Sequence, residues 1–280
     1  MRASHFAFSI FLAAIYFLGQ AFAAKHSSGA VPSGGRATSD EGVKAESLSP
    51  KIIVIGFVGG YVRRDDAAHS EVQLAARIRE DYPSGAYIST FANHHGEDAH
   101  QEVLRALDAN HDGQLSAAEK RNARIVIYGH SWGASETVAL ADALNREGIP
   151  VLLTIQVDSV TKRGENDGVI PPNVAQAVNY YQTDGLLHGR SVIRAADPAR
   201  TRVIGNFRFA YGSKPIPCEA AYPWWDRLIM QPHTEIECDP KVWRQMESLI
   251  RATLATTSHA TTDSTATNLQ AAAANRNPAQ

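Results

Sequence analysis

The chain is poor in cysteine and carries no excess charge of either sign. Two cysteines in 280 residues, with no Cys-x-x-Cys spacing, exclude a disulfide-dense miniprotein, a thiol redox motif and a cysteine-built zinc site. Twenty-seven basic side chains stand against 29 acidic ones, a net charge of −2, so there is no general electrostatic footprint for nucleic acid or an anionic membrane. Beyond residue 23 no apolar run approaches the roughly 20 residues a membrane span needs. No segment repeats. What is present, 44% hydrophobic and 20% charged residues, is ordinary for a globular protein and excludes collagen and disorder throughout.

The two ends differ in chemistry from the middle. Arg2, the apolar run Phe6 to Leu18 and the small-residue site Ala21-Phe22-Ala23 read as a secretory signal peptide over 1–23. Residues 24–50 hold Ser, Gly, Ala, Thr and charge with almost no large apolar side chain, which cannot offset the entropy of ordering. They read as a disordered linker, and the Thr-, Ser-, Ala- and Asn-rich stretch 256–280 reads as a disordered tail. The folding unit is then 51–255, a single domain. Export makes the protein secreted or periplasmic, where Cys218 and Cys238 are expected to pair; a loop of this size is stabilised by roughly 3 kcal/mol in the chain-entropy model. Two buried free thiols are the alternative.

Within the domain, strand and helix patterns alternate. Lys51–Gly56 is a short continuous apolar run of the kind that is buried on both faces. A helix over about 68–81 follows, then a strand over 86–91, a helix over 97–107 and the β-branched strand Arg124–Tyr128. A helix over 131–146 stops at Gly148-Ile149-Pro150, and strands over 151–157 and 201–205 complete the series. This order predicts an α/β fold, a mostly parallel sheet flanked by helices, with chemistry at the carboxyl ends of strands.

Directly after the strand Arg124–Tyr128 stands Gly129-His130-Ser131-Trp132-Gly133, a G-x-S-x-G motif leading into a helix. Such an elbow holds a nucleophilic serine on a strained turn, and its glycines let backbone approach without a Cβ clash. The motif resembles the lipase/esterase elbow of the α/β-hydrolase superfamily, and the resemblance covers about Ile52 to His233. The family implies a Ser, acid, His triad in that chain order. Asp158, at the end of the next strand, matches the acid, in an early position similar to that of pancreatic-type lipases; Asp184 and Asp197 are its rivals. His233 matches the base, with His188 as runner-up, and the Cys218–Cys238 bridge would pin the loop expected to carry it. For the oxyanion hole the resemblance points to the N–H groups of Trp132 and of Phe57, with Val58 the alternative to Phe57. The histidine usual in the family's oxyanion turn is absent, since Gly56 follows Ile55.

A second motif lies before the elbow strand. Asp108, Asn110, Asp112, Gln114, Ser116 and Glu119 occupy the six ligand positions of an EF-hand calcium loop, with Gly113 at its sharp turn and Leu115 apolar at its centre. A lone loop of this kind is expected to bind Ca2+ weakly, at roughly 0.1 to 1 mM, as a structural staple. Weaker features are His94-His95, which could touch substrate or a metal, Trp224-Trp225, which could line an acyl or aromatic pocket or pack beneath the cysteine loop, and Arg63-Arg64-Asp65-Asp66, which reads as a self-neutralising turn.

These residues imply a serine hydrolase cleaving a carboxylic ester, lipase-, esterase- or thioesterase-like, on a small-molecule or lipid substrate. An amidase or peptidase using the same triad is one alternative. A non-catalytic calcium-binding protein on the hydrolase fold is another.

Overall fold

The computed structural model describes residues 50–212, 216–218 and 230–256. The expected signal peptide, the linker except Pro50 and the tail beyond Thr256 lie outside the described residues, as do Trp224 and Trp225. Among the described residues no helix is long and apolar enough to cross a membrane.

The apolar runs become strands buried on both faces. Strands β1 (Lys51–Val58), β2 (Ala86–Ala92), β3 (Ala123–His130), β4 (Val151–Val157), β6 (Val174–Tyr181) and β8 (Arg202–Arg208) form one sheet in the order β2-β1-β3-β4-β6-β8. Every neighbouring pair is parallel. Two short strands, β5 (Val169–Ile170) and β7 (Arg194–Ala195), pair separately. The helices are α1 (Ser70–Asp81), α2 (Gly96–Leu107), α3 (Ala117–Arg121), α4 (Trp132–Arg146), α5 (Gln231–Cys238) and α6 over 240–256.

Period-two alternation sends side chains of each strand to two cores. Ile53, Ile55 and Phe57 of β1 and Ile125 and Ile127 of β3 pack with Ala99, Val103 and Leu107 of α2 and with Val138, Ala141 and Leu144 of α4. On the other face Val54, Val126 and Tyr128 meet Leu74 and Ile78 of α1 and Val242, Met246, Ile250 and Leu254 of α6. The helix residues recur at three- or four-residue steps, so each helix presents one apolar stripe. Each fully buried aliphatic side chain contributes about 1.5–3 kcal/mol. The arrangement is the helix-flanked parallel sheet expected from the sequence, consistent with an α/β-hydrolase-like fold.

Two differences have physical reasons. Strand β6 does not show in the sequence, because Gln176 and Asn179 interrupt its apolar pattern; Arg202 donates to Gln176, and Asn179 Nδ2 donates to the Arg190 carbonyl and to Asn206 Oδ1. The last strand runs to Arg208 rather than stopping near Gly205, since β6 gives it a ladder as far as Tyr181. The chain turns to β2 after β1 and returns on the other side to β3, so the sheet order reverses between those strands. Crevices for ligands form at the carboxyl ends of strands beside such a reversal.

Candidate active site

Ser131 stands at that reversal, between β3 and α4. Its backbone has φ 56° and ψ −124°, a region that side chains other than hydrogen rarely adopt, at a cost of about 1–3 kcal/mol. The surroundings hold it there. Ser131 N–H donates to the Val157 carbonyl at 3.0 Å, and its own carbonyl accepts from Val160 at 3.2 Å. The flanking glycines are sterically required: a Cβ on Gly129 would strike the Gly133 carbonyl, and one on Gly133 would strike the carbonyl of Phe57. Helix α4 can therefore start directly against the ends of β1 and β3.

Ser131, His233 and Asp158 lie in one hydrogen-bonded chain. His233 Nε2 is 2.8 Å from Ser131 Oγ, and His233 Nδ1 is 2.7 Å from Asp158 Oδ2. All three are buried. Asp158 follows β4 with φ 42°, its N–H bonded to the Tyr180 carbonyl of β6 at 2.7 Å. Its carboxylate accepts three further bonds, from Gln182 Nε2 at 2.7 Å, Gly189 N–H at 2.8 Å and Gln182 N–H at 3.2 Å. Sequence reading missed Gln182 and Gly189. A Cβ on Gly189 would collide with the Asp158 backbone, so this glycine lets its loop cross the acid.

The rivals are engaged elsewhere. Asp184 pairs with Arg208 and accepts from Tyr211 N–H, Asp197 bonds Ala199 N–H in a local turn, and His188 is exposed. His233 is not in a loop as expected. It is the third residue of α5, because Pro232 suits a first helical turn and Thr234 N–H closes that turn onto Met230. Cys238, the last residue of α5, is disulfide-bonded to Cys218 with Cα atoms 5.2 Å apart, so the bridge ties down the helix that carries His233.

The exit of β1 lies against Ser131. Phe57 is in register with both Phe91 and Gly129, whereas Val58 is in register with Ala92, at the corner of the ladder. A Cβ on Gly59 would sit 3.1 Å from Ser131 Cβ, so this glycine brings the turn alongside the serine. Asn93 anchors it by donating to the carbonyls of Val58 and Gly60. Trp132 begins α4, where a backbone N–H has no intrahelical acceptor. A cavity of about 490 Å³ opens beside Trp132, lined also by Tyr61, Asn93, His94 and Thr161. Tyr61, 91% exposed, packs edge-on against Trp132 with centroids 5.7 Å apart. His94 thus reaches the cavity, while His95 bonds Asp98 at the start of α2. Arg63 and Asp65 pair with each other in the exposed turn.

The acidic loop forms a tight turn between α2 and the five-residue α3. Gly113 adopts φ 79° and His111 φ 59°, and Asp108 accepts from the N–H groups of Asp112 and Gly113 at 3.2 and 2.9 Å. Asn110 and Asp112 bond one another. Glu119, however, is turned onto the backbone. It accepts from Ala109 N–H, Ser116 N–H and Ser116 hydroxyl in a capping box, and these bonds lower its pKa, the Ser116 hydroxyl foremost. Asp108, Asp112 and Glu119 do not form a group whose ligand atoms all lie within 4.8 Å of one another. Binding an ion through all six positions would require Glu119 to give up these bonds.

No family model and no curated relative matches the chain. Among solved structures it is similar over 59% of its length to an uncharacterized protein from Pseudomonas aeruginosa, at 12% identity and a TM-score of 0.40. The chain spans 41% of that protein's length. A cutinase-like protein from Cryptococcus sp. is matched over 73% of this chain and 95% of its own, at 15% identity and a TM-score of 0.38. An acetylxylan esterase is matched over 74% of this chain and 100% of its own, at 12% identity and a TM-score of 0.36.

Proposed function

We propose that the chain is an exported serine hydrolase that cleaves carboxylic esters of small-molecule or lipid alcohols. One observation carries the reading: the Ser131, His233, Asp158 hydrogen-bonded chain on a strained turn at the carboxyl ends of β3 and β4. Ser131 Oγ attacks the ester carbonyl while His233 Nε2 takes its proton. Asp158 holds Nδ1–H and stabilises the imidazolium. The tetrahedral oxyanion is met by the N–H of Trp132 and by a second N–H from the β1 exit, at Phe57 or Val58. Its collapse breaks the bond to the alkoxide, which leaves with the His233 proton. Water, deprotonated by His233, then attacks the acyl-enzyme and releases the acid and Ser131. Export is supported by the signal-like segment at the start of the chain and by the disulfide.

The test is hydrolysis of nitrophenyl esters of graded chain length, matched anilides, and labelling by a fluorophosphonate. Ester turnover with labelling at Ser131 is expected. Anilides cleaved as fast as esters would turn the reading to an amidase or peptidase, and a folded protein that neither labels nor turns over would turn it to a non-catalytic one. Because Tyr61 and Trp132 form an aromatic wall at the cavity, Tyr61→Ala should raise KM for the best ester about three- to tenfold and leave kcat within about twofold. A fall in kcat alone would count against a binding role for Tyr61.

We also propose that the loop Asp108–Glu119 takes Ca2+, through Asp108, Asn110 and Asp112 side chains, the Gln114 carbonyl, Ser116 and Glu119. The ligand spacing and the open turn at Gly113 support this. Millimolar Ca2+ should raise Tm by a few degrees over an EDTA-treated sample, and Asp112→Ala should remove the difference. An unchanged melting curve in EDTA would sink the idea.

A further inference from the structure

Behind His233 lies a second cluster that the triad does not use. His69 and Glu71 at the start of α1, His130 at the end of β3 and Glu237 on α5 meet there, all buried, with Glu71 0% and Glu237 2% exposed. Ligand atoms of His69, Glu71 and Glu237 all lie within 4.8 Å of one another, a grouping of metal-binding side chains found nowhere else among the described residues. His130 Nδ1 adjoins them, 3.8 Å from Glu71 Oε1 and 3.5 Å from Glu237 Oε2.

The bonding leaves acceptor atoms turned towards the centre of this cluster. His130 donates Nε2–H to the His233 carbonyl at 3.1 Å, so its neutral ring carries a lone pair on Nδ1. That lone pair faces two carboxylates, and both Glu71 oxygens are buried with no hydrogen-bond partner. Two carboxylates buried side by side repel one another when both are ionised. A dication balances both carboxylates and leaves the imidazoles neutral. Nitrogen and carboxylate donors together suit zinc and its transition-metal neighbours, whereas calcium and magnesium take oxygen alone.

We infer that His69, Glu71, His130 and Glu237 form a buried site for a divalent transition-metal ion of the zinc class, joining α1 and β3 to the helix that carries His233. The outer contacts are those of a held site. Tyr128 hydroxyl donates to the Glu71 carbonyl at 2.7 Å, and the Trp243 indole donates to the Glu237 carbonyl. His69 Nδ1 and Glu237 Oε1 are 2.6 Å apart, shorter than the about 3.3 Å edge of a tetrahedral zinc site, so loading replaces that hydrogen bond with two metal bonds. Glu237 is one helical turn beyond His233, and His130 precedes Ser131, so the ion acts as a positioning element for both.

The test uses the full chain, refolded oxidatively with Zn2+, with Co2+ or with neither, then desalted and assayed for metal by plasma mass spectrometry. About one zinc per chain should survive desalting, excess Ca2+ should not displace it, and the cobalt form should show the visible d–d bands of a four-coordinate ion. Glu71→Gln and His69→Ala, each checked for folding by circular dichroism, should retain less than about a tenth of an equivalent. Ser131→Ala and Asp112→Ala should retain it fully, which separates this site from the triad and from the acidic loop. A folded wild-type chain that binds neither metal overturns the inference, as does Glu71→Gln with its metal intact; Glu71 and Glu237 would then share a proton.

Discussion

Ser131→Ala is expected to reduce kcat for ester hydrolysis by roughly 10⁴- to 10⁶-fold while leaving the fold in place. The hydroxyl is the group within 2.8 Å of His233 Nε2 and the one that the strained turn presents at the carboxyl end of the sheet. Alanine keeps the Cβ and therefore the strain, so its Tm should lie close to that of the parent. Ser131→Gly removes the hydroxyl and also relieves φ 56°, so it should be equally inactive but more stable by about 1 kcal/mol, a rise of a few degrees in Tm. Steady-state ester kinetics with paired thermal scans measure both effects. An alanine variant that keeps more than about a hundredth of the activity would remove Ser131 from its proposed role.

Asp158→Asn should lower kcat by about 10³- to 10⁴-fold with KM little changed, and it should cost stability as well. The carboxylate receives only donors: His233 Nδ1, Gln182 Nε2, Gln182 N–H and Gly189 N–H. An amide in its place must turn its own N–H₂ towards two of them. One choice leaves His233 in the wrong tautomer, and the other leaves the Gly189 loop without its acceptor. Since Asp158 is fully buried, the unsatisfied donors should cost about 1–3 kcal/mol each, read as a lower midpoint in urea. A loss of less than tenfold in kcat, with stability reduced, would make Asp158 a structural acid only.

The elements that the sequence disclosed most clearly are those whose own composition dictates them. Lys51–Val58, Ala123–His130 and Val151–Val157 are apolar enough to demand burial on both faces, and Gly129 and Gly133 flank Ser131 because no Cβ fits there. Strand β6 was hidden because Gln176 and Asn179 find partners only in segments more than ten residues away. Helix α5 does not announce itself in the sequence because its eight residues hold little apolar periodicity, and its place depends on the His233 contacts and the disulfide. The acidic loop shows the opposite case. Its ligand spacing was plain, yet the direction of the Glu119 carboxylate was decided by nearby N–H groups that spacing does not reveal.

By itself the sequence determined the alternation of strand and helix and the elbow, because each rests on local composition or on a short spacing; the order serine, acid, histidine came from the resemblance, which left Asp184, Asp197 and His188 as rivals. Only the tertiary structure decided that His233 would meet Ser131 102 residues away and Asp158 75 residues away, and that Gln182 and Gly189 would hold the acid. The same holds for His69 and Glu237, 168 residues apart and 2.6 Å from one another. Such contacts form when strand order and helix packing bring distant segments to one end of the sheet, and no window of sequence carries that information.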